Sequence, residues 1–207
     1  MSDTGSEHAG ATTLEPEDQA RANLYGLVSR LFYGPADPNL LAEISRSGQE
    51  EGAEHDGGLT AAWRGLRAAC SSAYPAIVRQ EYDSLFVGVG KAVVTPYLSA
   101  YAEPSAPDGY LVRLRGQLSA WGLGRRESVF EVEDHISGIS DVMRWLVESR
   151  TLPEQRRFFE NFAYPGVVPF CAAVQKAPSA SFYRPVTSFA LSFFEIEKAA
   201  FEMADEV

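Results

Sequence analysis

The chain is poor in the residues that most often do covalent or metal chemistry. Its 207 residues include only 2 cysteines and 3 histidines. Cys70 and Cys171 stand far apart, each within an apolar helical pattern, with no CxxC pair and no zinc spacing. Buried free thiols are therefore the expected state rather than a disulfide or a metal knuckle. His8 lies in a polar stretch and His55 in a glycine-rich one, so His135 is the one histidine in the body of the chain. No Gly-x-Ser-x-Gly elbow accompanies it, and nucleophilic catalysis finds no support. No run approaches the ~18–20 apolar residues that span a bilayer. Met1 to Thr13 is polar and lacks the apolar centre of a secretory signal, so a cytoplasmic protein is expected. Basic stretches are missing too. Lys and Arg number 18 against 28 Asp and Glu, a formal charge of −10, and the pairs Arg125-Arg126 and Arg156-Arg157 are isolated. Such a balance repels a phosphate backbone and suits a cationic partner.

What is present is apolar helix. Hydrophobic residues make up 45% of the chain and aromatics 12%, enough to bury a substantial core. Residues 1–15, rich in Ser, Thr, Gly and Ala, are expected to form a disordered tail, and 16–207 an all-helical domain. Ala20, Leu24, Leu27, Val28, Leu31 and Phe32 repeat at helical spacing after Pro16 and end at Gly34-Pro35. Asp37-Pro38 opens a short helix with Leu40, Leu41 and Ile44, and a Gly- and Glu-rich loop runs from Ser47 to Gly58. Thr60 is placed to cap the next helix, with Trp63, Leu66 and Cys70 inward. A helix from Pro75 to Val87 carries Ile77, Val78, Tyr82, Leu85 and Phe86. Gly88 to Pro104 is loop-like yet apolar, which is unusual for a connector. Further helices are expected from Pro107 (Leu111, Leu114, Leu118, Trp121), Ile136 (Ile139, Met143, Leu146, Val147) and Thr151, where Thr151-Leu-Pro-Glu154 has the form of a capping box. A short helix over Val167 to Val174 and a last one with Val186, Phe189, Ala190, Phe193 and Ala200 complete about nine. The pattern reads as an all-α, single-domain helical bundle without a strand.

Two local groups invite a chemical reading. Gly88-Val-Gly90-Lys91 lacks the hydroxyl after the lysine and follows a helix instead of a strand, so a helix end is expected there, not a nucleotide loop. Glu131, Glu133, Asp134 and His135 lie where a helix begins. Carboxylates there can cap the helix and complement its dipole, can receive a basic peptide, or can serve a metal-dependent hydrolase. Tyr82, Phe86, Tyr97, Tyr101 and Trp121 gather in sequence around the apolar loop, as core residues or as the lining of a groove.

Four blocks in order carry a resemblance. They are Arg21-Ala-Asn-Leu-Tyr-Gly-Leu-Val-Ser-Arg-Leu-Phe-Tyr33; Glu81-Tyr-x-x-Leu-Phe-x-Gly with Pro96 and Ser99-x-Tyr101; Glu131-Val-Glu-Asp-His-Ile136; and Ser181-Phe-Tyr-Arg184. Together they resemble the TorD/DmsD/NarJ family of cytoplasmic chaperones, with Val132 standing where that family usually has proline. The resemblance implies an all-helical protein without catalytic turnover or a cofactor of its own. It would bind the twin-arginine leader, and often the body, of a molybdenum-containing oxidoreductase catalytic subunit. It would hold back export while the cofactor is inserted, acting as a monomer or dimer. By position it implies a peptide site at Asp134, His135, Glu133 and Glu131, with Tyr82, Phe86, Ser99, Tyr101 and Trp121 near it. A helical adaptor for a different protein partner remains the other binding alternative.

Overall fold

In the computed structural model, residues 14–48, 58–88, 92–124 and 133–204 are described. The expected tail up to Thr13, most of the Ser47–Gly58 loop, Gly90-Lys91, Glu131 and Val132 lie outside them. The described residues are helical throughout, linked by turns, with one isolated antiparallel bridge between Tyr97 and His135.

Helix α1 spans Pro16–Tyr33, with Pro16 in its first turn, Glu17 and Asp18 at its positive end and Arg30 at its negative end. α2 spans Pro38–Arg46, capped by the Asp37 carboxylate, which accepts from the Asn39 N–H at 2.7 Å. α3 covers Gly58–Ser72, so Thr60 lies inside the helix and does not cap it. α4 covers Pro75–Tyr82 and widens into a π turn over Asp83–Val87. That turn closes with the Gly88 N–H on the Asp83 carbonyl, five residues back, at 2.8 Å. Gly88 leaves it at φ 66°, a conformation that favours glycine. Ile77, expected inward, is 59% exposed, because Val78 and Glu81 take the buried stripe of α4.

The apolar loop after Gly88 contains a one-turn helix that its sequence does not announce, α5, over Ser99–Ala102. α6 spans Pro107–Ala120 and buries only Tyr110 and Leu114; Leu111, Leu118 and Trp121 are half-buried. α7 spans Ile136–Ser149 and buries Ile136, Ile139, Met143, Leu146 and Val147 as its spacing predicts. α8 (Leu152–Phe158), a π turn (Phe159–Ala163) and α9 (Tyr164–Lys176) form one continuous run. The wider turn falls just before Pro165, which has no N–H to give to the preceding turn. α10 covers Tyr183–Met203.

α1 lies along α7, and α10 packs on α3 and α9. One core runs from Ala22 to Phe201, and both cysteines are free and buried in it. At its centre Phe32, Tyr82, Phe86, Phe170 and Tyr183 meet ring to ring, with centroids 5.0–6.2 Å apart. Two buried carboxylates tie distant segments together. Glu197 of α10 takes both Nε and Nη2 of Arg21 at 2.9 Å and the Tyr25 hydroxyl at 2.8 Å, joining α10 to α1. Glu81 of α4 accepts from the backbone N–H groups of Ser181, Phe182 and Tyr183 at 2.8, 3.0 and 2.9 Å. A helix start leaves such donors without intrahelical partners, and Glu81 supplies them from another part of the chain.

Candidate peptide-binding site

The Pro96–Tyr101 and Glu133–Ile136 segments, well separated in sequence, are fastened side by side. Leu98 donates to the Asp134 carbonyl at 2.9 Å, and Ile136 donates to the Pro96 carbonyl at 3.0 Å. The Asp134 carboxylate reinforces this pairing by accepting from the Ser99 N–H at 3.2 Å, where α5 begins. From the other side α9 closes in. A Cβ on Gly166 would stand 2.6 Å from Leu98 Cβ and 3.0 Å from the Leu98 carbonyl oxygen, so only glycine fits there.

His135 caps α7. Its Nδ1 accepts from the Ser137 N–H at 3.2 Å and faces the Ser137 hydroxyl at 2.7 Å. Accepting an N–H makes Nδ1 the unprotonated nitrogen and puts the ring proton on Nε2. The ring meets Tyr97 edge to face at 5.6 Å. Asp134 and His135 are both buried at 1% exposure, whereas Glu133 is partly exposed and holds the guanidinium of exposed Arg115 at 3.1 Å. Glu133 turns outward to Arg115, Asp134 inward to Ser99, and His135 to Ser137. Among the described residues no three His, Cys, Asp or Glu side chains come together as a metal site.

The aromatic candidates divide. Tyr82 and Phe86 belong to the core, and the Tyr82 hydroxyl donates to the Phe32 carbonyl at 3.2 Å. Ser99 is buried at the start of α5. Tyr101 is half-buried beside the paired segments. Its ring packs on Phe170, its hydroxyl donates to the Thr95 carbonyl at 2.9 Å, and burial pushes its phenol up to about 12. Trp121 sits elsewhere, at the end of α6, against Trp145 and Phe158. The structure thus brings Ser99, Tyr101, Glu133, Asp134 and His135 into one neighbourhood, which Phe170 links to Phe86 in the core by packing on both Tyr101 and Phe86, and leaves Trp121 in another. Glu131 lies outside the described residues.

Three structurally important residues were not among the candidates: Arg115 and Gly166, which touch this neighbourhood, and Glu81, which holds the start of α10. Glu81 carried a readable signal, since a carboxylate between Val78 and Leu85 on a buried stripe demands partners. Gly166 carried none, because its requirement is set by Leu98, far away in sequence.

Residues 53–172 match the model of the family described as nitrate reductase delta subunit. The chain belongs to that family. It is the NarJ/TorD type of maturation chaperone family, and the matched span holds the Glu81, Pro96–Tyr101 and Glu131–Ile136 blocks. A crystal structure from Archaeoglobus fulgidus, described as a redox enzyme maturation protein, superposes with a TM-score of 0.56 at 17% identity. The match covers 92% of this chain and 99% of that one, and at that identity it speaks to the all-helical fold. No curated protein matches the chain. Among the described residues no helix is long and apolar enough to cross a membrane.

Proposed function

We propose that this member of the nitrate reductase delta subunit family is a cytoplasmic, non-catalytic chaperone for one molybdenum-containing oxidoreductase. It binds the twin-arginine leader of the catalytic subunit beside the Pro96–Tyr101 and Glu133–Ile136 pair, and holds back export during cofactor insertion. The observation that carries this reading is the Glu133–Arg115 contact. A carboxylate at the edge of the paired segments already holds a guanidinium, and that guanidinium belongs to an exposed side chain. An incoming leader arginine can take the same place, because exchanging one exposed ion pair for another costs little. Tyr97 and Tyr101 stand nearby to receive the apolar stretch that follows the arginines.

In this reading Asp134 and His135 shape the site rather than touch the leader. Asp134 fixes the start of α5 and His135 the start of α7, so both set where Glu133 and Tyr101 stand. The test is calorimetry of the full chain with a twin-arginine leader peptide against its Lys-Lys counterpart. Arginine-dependent binding at micromolar Kd or tighter is expected, since a lysine cannot reproduce the planar two-point contact. Equal affinity for both peptides, or none for either, would overturn leader recognition at this site.

A further inference from the structure

Two acidic side chains border the paired segments, and each already holds an arginine of α6. Glu103, the residue after α5, is ion-paired with Arg113, and Glu133, on the approach to α7, with Arg115 at 3.1 Å. In both pairs the carboxylate is the more enclosed partner. Glu103 and Glu133 have side chains 34% and 20% exposed, whereas the arginines stand out at 53% and 54%. Of α6 only Tyr110 and Leu114 are buried, and the Tyr110 hydroxyl donates to the Phe162 carbonyl at 2.6 Å. Neighbours on a helix are turned about 100° from each other. Arg113 and Arg115, one on each side of Leu114, therefore leave α6 along opposite flanks of its buried stripe. Glu103 and Asp134 both hold the Tyr110 phenol in its protonated form, after burial itself, and Glu133 and Asp134 both favour the charged form of Arg115. The two acidic side chains thus surround the same stretch of α6.

We propose that Glu103 and Glu133 together receive two arginines of the partner, and that Arg113 and Arg115 are placeholders that occupy the two carboxylates until the partner's arginines displace them. The inference rests on leader binding at this site and adds to it a second carboxylate and a self-occupied resting state. A half-enclosed carboxylate left without a counter-ion is unfavourable, which gives the empty chain a reason to supply its own guanidiniums. An exposed ion pair stabilises by little, so replacing it with an equivalent pair is nearly neutral. In an extended segment successive side chains point to opposite sides, so two adjacent arginines can reach the two flanks. A single arginine displaces one placeholder only, which makes the pair the unit of recognition. α6 need not move, since both guanidiniums already face solvent and Tyr110 anchors the helix.

The test is calorimetry on the full chain with a twin-arginine leader peptide and its Arg-Lys and Lys-Arg counterparts. Arg113→Ala combined with Arg115→Ala should tighten the twin-arginine peptide about twofold to tenfold, the range that two exposed ion pairs can withhold. Arg113→Gln with Arg115→Gln, which keeps the apolar stems on α6, should tighten it likewise. Arg30→Ala with Arg46→Ala removes the same charge from exposed positions on α1 and α2 and should change the affinity less. Glu103→Gln should weaken the twin-arginine peptide about tenfold, the scale of one charge-assisted contact, at an unchanged thermal midpoint. Against one of the two single-lysine peptides the same change should cost little, which a double-mutant cycle reads as direct coupling. Affinity in the Arg113 and Arg115 variants no higher than in the Arg30 and Arg46 control overturns the placeholders. An unchanged affinity in Glu103→Gln overturns the second carboxylate. In either case a loss in Glu133→Gln leaves leader binding itself standing. Absence of binding to every one of these chains overturns leader binding and this inference with it.

Discussion

Three carboxylates spaced along the chain do three different jobs, and burial separates them. Glu81 is a framework group. Replacing it with Ala leaves three backbone donors at the start of α10 without a protein acceptor. The expected cost is on the order of 3 kcal/mol, read as a lower denaturant midpoint at unchanged m-value. Glu81→Gln keeps an acceptor oxygen and should cost less. Asp134 and Glu133 make a second comparison. Glu133→Gln should weaken leader binding by about 1–2 kcal/mol and leave the unfolding midpoint in place, because its present partner is an exposed arginine. Asp134→Asn should do the reverse, lowering stability by about 1 kcal/mol through the Ser99 N–H contact while the leader affinity falls less. If Asp134→Asn abolishes binding in a chain of normal stability, the carboxylate touches the leader directly and the division of roles drawn here is wrong.

At the level of elements, the seam between α5 and α9 decides the shape of the site. Gly166→Ala should destabilise the protein by about 1–3 kcal/mol, because backbone as well as a side chain of Leu98 stands in the way. Leu98→Ala keeps the Cβ that stands 2.6 Å away and Leu98→Gly removes it, so Gly166→Ala should cost less in the Leu98→Gly background than in the Leu98→Ala one, though not nothing, since the carbonyl at 3.0 Å remains; a double-mutant cycle on thermal or denaturant midpoints reads the coupling. The seam also shows what the sequence could and could not tell. The buried stripe of α7 was legible residue by residue, and that of α10 at Val186, Phe189, Ala190 and Phe193, since a 3.6-residue period is a local property. On α1 Val28, Leu31 and Phe32 are buried as their spacing predicts, but Ala20 is exposed, Leu24 and Leu27 are half-buried, and Ala22 and Tyr25 take the core instead. The start of α3 was placed late because Thr60 offered a cap where the helix had already begun. Ile77 was assigned inward because a short apolar helix leaves its buried side ambiguous. The neighbourhood of Ser99, Tyr101, Asp134 and His135 was legible through the family resemblance, but the pairing that unites them was not. Two backbone hydrogen bonds and one bridge leave no period in the residues that make them. Trp121 looked like a neighbour of Tyr101 because sequence distance is short. Helix α6 carries it to the far end of fourteen residues instead.

Across the whole molecule, the buried phenols and thiols set a limit on the alkaline side. Burial, and then a nearby carboxylate, holds Tyr25 and Tyr110 well above the ordinary phenol range; burial beside Tyr82 does the same for Tyr183, and burial alone pushes Cys70 up to about 11 and Cys171 to about 12. The folded chain holds these protons more tightly than the unfolded one. Their contribution to stability is therefore complete below the unfolded values, near pH ~8.5 for the thiols and ~10 for the phenols, and is lost as pH rises toward the folded values. An alkaline titration followed by tyrosinate absorbance should show exposed phenols ionising first and the buried group only as helicity collapses. Smooth, fully reversible ionisation of all tyrosines with helicity intact would contradict the packing. For the same reason a thiol reagent at neutral pH should find neither cysteine in the native chain and both in denaturant.

The link between Arg21, Tyr25 and Glu197 has a consequence for the order in which this molecule can be made. Synthesis delivers α1 before α10, so until α10 has been translated the guanidinium that α1 must bury has only Asp18 of its own helix as counter-ion, and the Tyr25 hydroxyl lacks its Glu197 acceptor. Enclosing that pair earlier is unfavourable, because a guanidinium that lacks its two-point carboxylate and a phenol without an acceptor resist leaving water. The early helices can gather but cannot seal, and the final closure waits for α10. A nascent chain stalled before α10 should accordingly remain open to protease near Arg21, and the completed one should not.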